Sequence, residues 1–294
     1  MGISAKCFFL MKPAVHRTLI GMLKTIFRGA VVAACILWAA NALHAQDAKA
    51  RSCRLIVDGA TGKIIVREGP CDVAHSPCST FKVPLAVMGY DAGILKNEHE
   101  PAWDYLAEYN SSRTEDQRTI DPTSWESISV IWFSRKITRQ LGTASFEKYV
   151  KQFNYGNQDV SGDLGKNNGL TESWVMSSLL ISPDQQVAFL QKLLKRQLSV
   201  SDHACDMTQR ILPQFKADDG WTLQGKTGSG FQRKPDGTWN RKRHVGWFVG
   251  WAAKADRKVI FAELLLDDKD QDGYGGPRSR EILIKALPQI MKDS

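Results

Sequence analysis

The stretch Pro77-Cys78-Ser79-Thr80-Phe81-Lys82-Val83-Pro84-Leu85-Ala86-Val87-Met88 opens an apolar run that continues to Ile94 and stops at Gly93 and the polar Lys96-Asn97-Glu98. This pattern predicts a buried helix beginning at about Ser79. Pro84 falls just past the first four free N–H groups of such a helix, at the edge of what a helix tolerates. Spaced three apart, Ser79 and Lys82 share a face, and Phe81, Val83, Leu85, Ala86 and Val87 surround them with hydrocarbon. Desolvation disfavours a lysine's charged form. A neutral amine beside a serine hydroxyl is a base beside a nucleophile. The helix N-terminus adds the Ser79 N–H as a donor to an oxyanion.

Upstream, Arg54–Val57 and Lys63–Val66 flank Asp58-Gly59-Ala60-Thr61-Gly62 and read as a hairpin. Downstream, Ser129–Gln140, Thr143–Phe153, Thr171–Leu180 and Pro183–Arg196 have helical spacing, caps or both, while Asn157–Gly169 is a polar Gly- and Asn-rich loop. Trp221–Lys226, His244–Ala253 and Lys258–Leu266 then read as antiparallel strands. A closing helix runs from Pro277 towards Met291, with Pro288 expected to cut it short. The expected class is α/β (α+β): one antiparallel sheet, built from the early hairpin and the late strands, flanked by helices and interrupted by a mostly helical insertion.

The chain has 294 residues and a formal net charge of +8. Lys6, Lys12, Arg17, Lys24 and Arg28, with no acid among the first 45 residues, leave only about +3 for the remainder. Nucleic-acid binding therefore has no support from charge. Lys24 and Arg28 precede an apolar run, Gly29 to Ala40, followed by small residues at Ala40, Ala42 and Ala45. Residues 1–45 are read as a secretion signal and 46–294 as the mature domain, soluble and periplasmic. The apolar run is short for a membrane span. Val32-Ala33-Ala34-Cys35 resembles a lipoprotein cleavage box but has only Gly29 to Val31 as apolar lead. Export leaves Cys53, Cys71, Cys78 and Cys205 in an oxidising compartment. Cys53 and Cys71 flank the hairpin, so either they are bridged or all four are buried thiols. With no CxxC pair, no HxH and no HExxH, zinc is not expected.

Each further motif has a plainer reading beside the functional one. Lys226-Thr227-Gly228, followed by Ser229, ends an expected strand. It offers a cation and a hydroxyl to a carboxylate, with Gly228 letting substrate lie against the strand; the alternative is an edge-strand lysine running into a turn. Ser129-Val130-Ile131 opens an expected helix, where Ser129 serves equally as a cap. Trp174 alone is better read as core. A second Ser-x-x-Lys, Ser145 to Lys148, lies on an amphipathic helix among charges, where its lysine would be solvated. Gly228-Ser229-Gly230 lacks the third glycine of a dinucleotide loop, where Arg233 stands. Asp268, Asp270, Asp272 and Gly273 imitate a calcium loop, but its twelfth position is Ser279.

Taken in order, Ser79-Thr80-Phe81-Lys82, Ser129-Val130-Ile131, Tyr155-Gly156-Asn157, Trp174-Val175-Met176-Ser177 and Lys226-Thr227-Gly228 resemble the motif set of the class D serine β-lactamases. These belong to the penicillin-recognising serine enzymes. The resemblance runs from about Cys53 to the end. Ser-Asp-Asn of class A is absent, since Ser201-Asp202 is followed by His203. Ile131 stands where the class D family usually has Val.

The resemblance implies a penicillin-recognising fold and hydrolysis of β-lactams through an acyl-Ser79. It implies that Lys82 carries carbon dioxide as a carbamate, held by the Trp174 indole, and that no other cofactor or metal takes part. Ser129 would pass a proton to the ring nitrogen, and the N–H groups of Ser79 and Ser229 would hold the oxyanion. Lys226 would join Ser79, Lys82, Ser129 and Trp174 in the catalytic set, and Ile131, Thr227, Gly228 and Ser229 would line the substrate site. Arg278 would be the second carboxylate anchor, with Arg280 a lesser claimant. The expected partner is a small-molecule β-lactam, with no nucleic acid, no stable membrane anchor and no particular oligomeric state implied. Two rivals share the chemistry: a receptor domain that is acylated and does not turn over, and a peptidase acting on cell-wall peptides.

Overall fold

Trp247-Phe248-Val249-Gly250-Trp251-Ala252 is apolar without alternation, and the computed structural model, which describes residues 52–294, shows why. Both faces of the sheet are covered. Phe248 and Ala252 pack on one side with Trp221, Leu223, Phe261, Leu283 and Leu287. Trp247, Val249 and Trp251 point to the other, into the larger core with Phe81, Val187 and Leu190. The period of two is present but carries apolar side chains at every step.

The sheet has six strands in the order β2-β1-β6-β5-β4-β3, every neighbouring pair antiparallel. They are β1 (Cys53–Asp58), β2 (Ile64–Glu68), β3 (Gln214–Lys216), β4 (Thr222–Arg233), β5 (Trp239–Lys254) and β6 (Arg257–Leu266). The early hairpin joins the late strands through β1 and β6, with Cys53 opposite Leu264 and Asp58 opposite Val259. The Asp58 carboxylate accepts from the Thr61 N–H and hydroxyl, both at 2.7 Å, closing the hairpin turn. Cys53 and Cys71 are bridged, with Cα atoms 5.2 Å apart, whereas Cys78 and Cys205 are buried thiols.

Between β2 and β3 lie α1 (Lys82–Asp91), α2 (Pro122–Ile128), α3 (Ile131–Gln152), α4 (Gly169–Glu172), α5 (Pro183–Leu194) and α6 (Asp202–Ile211), and α7 (Gly275–Lys292) follows β6. Capping boxes start α2 at Asp121 and α5 at Ser182, each with proline in the first turn. Gly142, at φ 72°, breaks α3 between the two expected helices.

Several elements depart from expectation. The expected helix at Ser79 begins as a 3-10 turn, Cys78–Phe81. Thr171–Leu180 holds only the end of α4, because the chain turns so that Trp174 O and Met176 N both engage the Ser76 hydroxyl, each at 2.9 Å. Pro288 does not stop α7: Leu287, Pro288 and Met291 are buried, and that packing outweighs one lost backbone bond. The strand expected to end at Lys226 continues to Arg233, where it pairs with the start of β5 at Trp239. Gly228, expected to let substrate lie against the strand, and Gly230 are sites of close approach within the protein. A Cβ on Gly228 would lie 2.7 Å from Pro77 O, and one on Gly230 2.7 Å from Cys78 Sγ.

The expected leader falls outside the described residues. Among the described residues, no helix is long and apolar enough to cross a membrane.

Candidate active site

The 3-10 turn carrying Ser79 is held from three directions. Thr80 donates its hydroxyl to Pro77 O at 2.8 Å and accepts from Gln186 Nε2 of α5 at 2.9 Å. The Trp247 indole of β5 donates to Ser76 O at 2.9 Å. Gly228 of β4 lies against Pro77 and Thr80 with no room for a side chain. The turn therefore sits between the sheet and the helical insertion. Ser79 stays half-buried while Cys78, Thr80 and Phe81 are buried.

Lys82 opens α1 and is 1% exposed. Its Nζ donates to Ser79 Oγ at 3.2 Å. Burial, and next the charge of Lys226, push its pKa down to about 7. Trp174, also buried, stacks on Phe81 with centroids 5.1 Å apart. Phe81 further meets Phe146 and Tyr155 edge-on. Tyr155-Gly156-Asn157 forms part of the wall rather than the chemistry: Asn157 clamps the Ser178–Leu180 backbone, and a Cβ on Gly156, at φ +59°, would lie 2.0 Å from Leu180 O.

Ser129 ends α2 in the left-handed region, at φ 65° and ψ 46°, uncommon for a residue with a side chain. Across the cleft, Lys226 Nζ of β4 donates to Ser129 Oγ at 3.0 Å and to Thr227 O at 3.2 Å. Lys226 is 2% exposed, and burial lowers its pKa to about 8 against the opposing pull of Glu126. Ser229 Oγ accepts from the Gly276 N–H at 2.9 Å, tying β4 to the start of α7.

A cleft of about 520 Å³ opens over this group. It is lined by Ser79, Ser129, Ile131, Thr227 and Ser229 from the expected set, with Arg113, Glu115, Tyr274, Pro277 and Arg280. A larger cavity, about 640 Å³, lies among β1, β6 and α7 and holds neither Ser79 nor Lys82. Arg278 lines that cavity rather than the cleft. Its guanidinium grips Asp267 through both oxygens, at 2.8 and 2.6 Å. Of the two arginines expected near a substrate carboxylate, it is Arg280 that lines the cleft: two residues along a helix turn the side chain by about 200°, and Asp267 holds Arg278 on the other side. Ser145 and Lys148 are exposed, away from this cleft.

One group at the site gave no signal in the sequence. Glu126 of α2 is 0% exposed, both its carboxyl oxygens lack a hydrogen-bond partner, and burial raises its pKa to about 7 against the pull of Lys226 and Lys82. Glutamate inside Trp125-Glu126-Ser127-Ile128-Ser129 reads as a solvated helix residue. Among the described residues, no group of three or more His, Cys, Asp or Glu is arranged to hold a metal ion.

Residues 42–288 match the family described as the penicillin binding protein transpeptidase domain. The chain is 45% identical over 252 residues to β-lactamase OXA-9 of Klebsiella pneumoniae, covering 85% of this chain and 92% of that one. It is 37% identical over 220 residues to β-lactamase OXA-1 of Escherichia coli, covering 72% and 75%. The crystal structure of the OXA-427 class D β-lactamase superposes with a TM-score of 0.76 at 42% identity, covering 83% of this chain and 99% of that one. The C-terminal domain of the Bacillus licheniformis BlaR penicillin receptor shares the fold, with a TM-score of 0.67 at 24% identity over 86% and 94% of the two chains.

Proposed function

Because this chain belongs to the class D serine β-lactamases, within the penicillin-binding transpeptidase family, we propose that it opens the β-lactam ring through an acyl ester on Ser79, with Lys82 as the base. The observation that carries this reading is the 3.2 Å contact between Lys82 Nζ and Ser79 Oγ, with the lysine stripped of water. A buried amine is uncharged at a pH where a surface lysine is fully protonated, and only that form accepts a proton.

In this reading Ser79 Oγ loses its proton to Lys82 as it attacks the lactam carbonyl. The N–H groups of Ser79 and Ser229 meet the oxyanion, and a single such donor is worth roughly 2.7–4 kcal/mol in other enzymes. Ser129, held by Lys226, delivers a proton to the departing ring nitrogen. Thr227 and Arg280 line the cleft and take the substrate carboxylate, a planar anion suited to a guanidinium fork. Ile131 bounds the cleft on the side of α3.

The buried Lys82 amine also suits carbon dioxide, because a dry, unprotonated amine is the form that captures it. Bound as a carbamate, it would supply an anionic base for acylation and for the hydrolytic water. Trp174, whose indole is purely a donor, is buried against Phe81, and in this reading its N–H holds that anion.

The first 45 residues direct the chain to the periplasm, and residues 46–294 form the mature enzyme. The bridged Cys53 and Cys71 suit an oxidising compartment. N-terminal sequencing of the protein from a periplasmic extract tests the cleavage after Ala45.

Kinetics with a chromogenic cephalosporin, followed by intact-mass analysis, test the reaction. Sustained turnover, lost in Ser79→Ala, is expected. A single burst ending in a stable adduct would instead make the protein a receptor. The high identity to named β-lactamases favours turnover, whereas the receptor domain shares only the fold.

A further inference from the structure

Glu126 is a carboxyl group with no exposed surface and no hydrogen-bond partner, placed three residues before Ser129 on α2. Unpaired buried carboxyls are costly, and native proteins rarely keep them without a role. Its charged neighbours are the two buried lysines of the site, Lys82 from α1 and Lys226 from β4. From α1 the Tyr90 phenol also feels it. Asp116 and Arg113 act on Lys82 from the segment before α2, and Arg113 and Arg280 act on Lys226.

The chemistry proposed above needs two buried lysines in opposite states. Lys82 must be an amine to take a proton, while Lys226 must be an ammonium to serve Ser129 and attract an anionic substrate. Burial alone pushes both towards the amine. We propose that Glu126 is a positioning residue that resolves this conflict: its buried carboxylate holds Lys226 as the ammonium, and the charge on Lys226 in turn keeps Lys82 unprotonated.

The causes acting on each lysine have the matching order. After burial, Glu126 is the largest influence on Lys226 and raises its pKa. After burial, Lys226 is the largest influence on Lys82 and lowers it, with Glu126 behind. The single buried carboxylate therefore acts unequally on the two lysines.

The inference rests on the Ser79–Lys82 reading, and its test separates the two. The pH dependence of kcat/KM is measured for the wild type and Glu126→Gln in bicarbonate-saturated buffer, with Ser79→Ala as control. Removing the anion lowers the pKa of Lys226, so the alkaline limb should move towards acid by about one pH unit, a tenfold loss on that limb. Activity near pH 6.5 should change far less. In a Lys226→Arg background, where the cation cannot deprotonate, Glu126→Gln should leave the alkaline limb in place.

A folded Glu126→Gln enzyme with an unmoved limb overturns the inference, as does an equal shift in the Lys226→Arg background. Turnover by Ser79→Ala would instead overturn the nucleophile. A second measurement needs no substitution at Glu126. In carbon-13 NMR of lysine-labelled enzyme, with the Lys226 signal assigned from Lys226→Arg, that signal should stay at the ammonium position at pH 7. An amine signal for Lys226 at that pH overturns the proposal.

Discussion

Lys226 Nζ reaches across the cleft to Ser129 Oγ at 3.0 Å, joining the central part of β4 to the residue that ends α2. The serine holds a left-handed backbone conformation to be there. A hydroxyl bonded to a buried cation is poised to give up its own proton and be resupplied. Ser129→Ala should therefore reduce kcat by about 10²–10⁴-fold, the range for a lost proton-transfer group. Steady-state kinetics check this; a change confined to KM would make Ser129 a cap and nothing more.

Two Ser-x-x-Lys sequences occur, and only one has a buried lysine. Lys82→Ala should lower turnover by roughly 10²–10⁴-fold, whereas Lys148→Ala, at an exposed position, should leave it near the wild-type value. Comparable losses in the two variants would sink the assignment.

Protonation of Lys82 removes the base and prevents capture of carbon dioxide. Its pKa is lowered to about 7 by burial and by Lys226, so activity should fall as pH drops through neutrality. Added bicarbonate should restore part of the activity near pH 6. Progress curves with and without bicarbonate decide this, and identical curves would count against a carboxylated lysine.

The same burial has a stability consequence. Between about 7 and the ordinary lysine value, unfolded Lys82 binds a proton that the folded protein does not. Stability contributed through this residue therefore rises with pH over that window and is penalised below it. Lys82→Met, inactive, should melt at a higher temperature than the wild type at pH 7 in carbon-dioxide-depleted buffer. The gap should narrow towards pH 10. Thermal melts across that range test the sign; a gap that widens with pH would refute it.

Neighbouring arginines separate binding from stability. Arg280→Ala should raise KM for β-lactams about tenfold, the effect of roughly 1.4 kcal/mol, with a smaller change in kcat. Arg278→Ala should leave kinetics nearly intact but cost roughly 2–3 kcal/mol of stability, discounted from a fully buried pair because the guanidinium is partly exposed. Paired kinetic and melting measurements check both, and the reverse pattern would return the anchor to Arg278.

The grouping of Ser79 with Lys82, and the line of Lys226 to Ser229 along β4, were legible because each depends on spacing within a motif. Ser79 and Lys82 fall within one turn of backbone, and Lys226 to Ser229 follow one strand. The assignment between Arg278 and Arg280 was not, because it depends on which carboxylate lies nearby, and Asp267 comes from the end of β6. Glu126 was invisible for the same reason: its meaning lies in α1 and β4, not in its own helix. The strand end was misplaced at Lys226 because the turn at Pro77–Thr80, which presses against Gly228 and Gly230, is remote from them in sequence. Likewise α7 passes Pro288 because its buried face, not its local propensity, decides its length.

The pairing of β1 with β6 sets a condition on how the enzyme comes into being. The second strand edge of the hairpin finds its neighbour only when residues some two hundred positions later have been made. The catalytic turn likewise waits for β4, and β4 for α7 through Ser229 and Gly276. Contacts so distant in sequence form slowly. A nascent or shortened chain that stops before β6 should thus have no sheet to close and no partial activity to offer, so resistance conferred by this protein reports complete chains only.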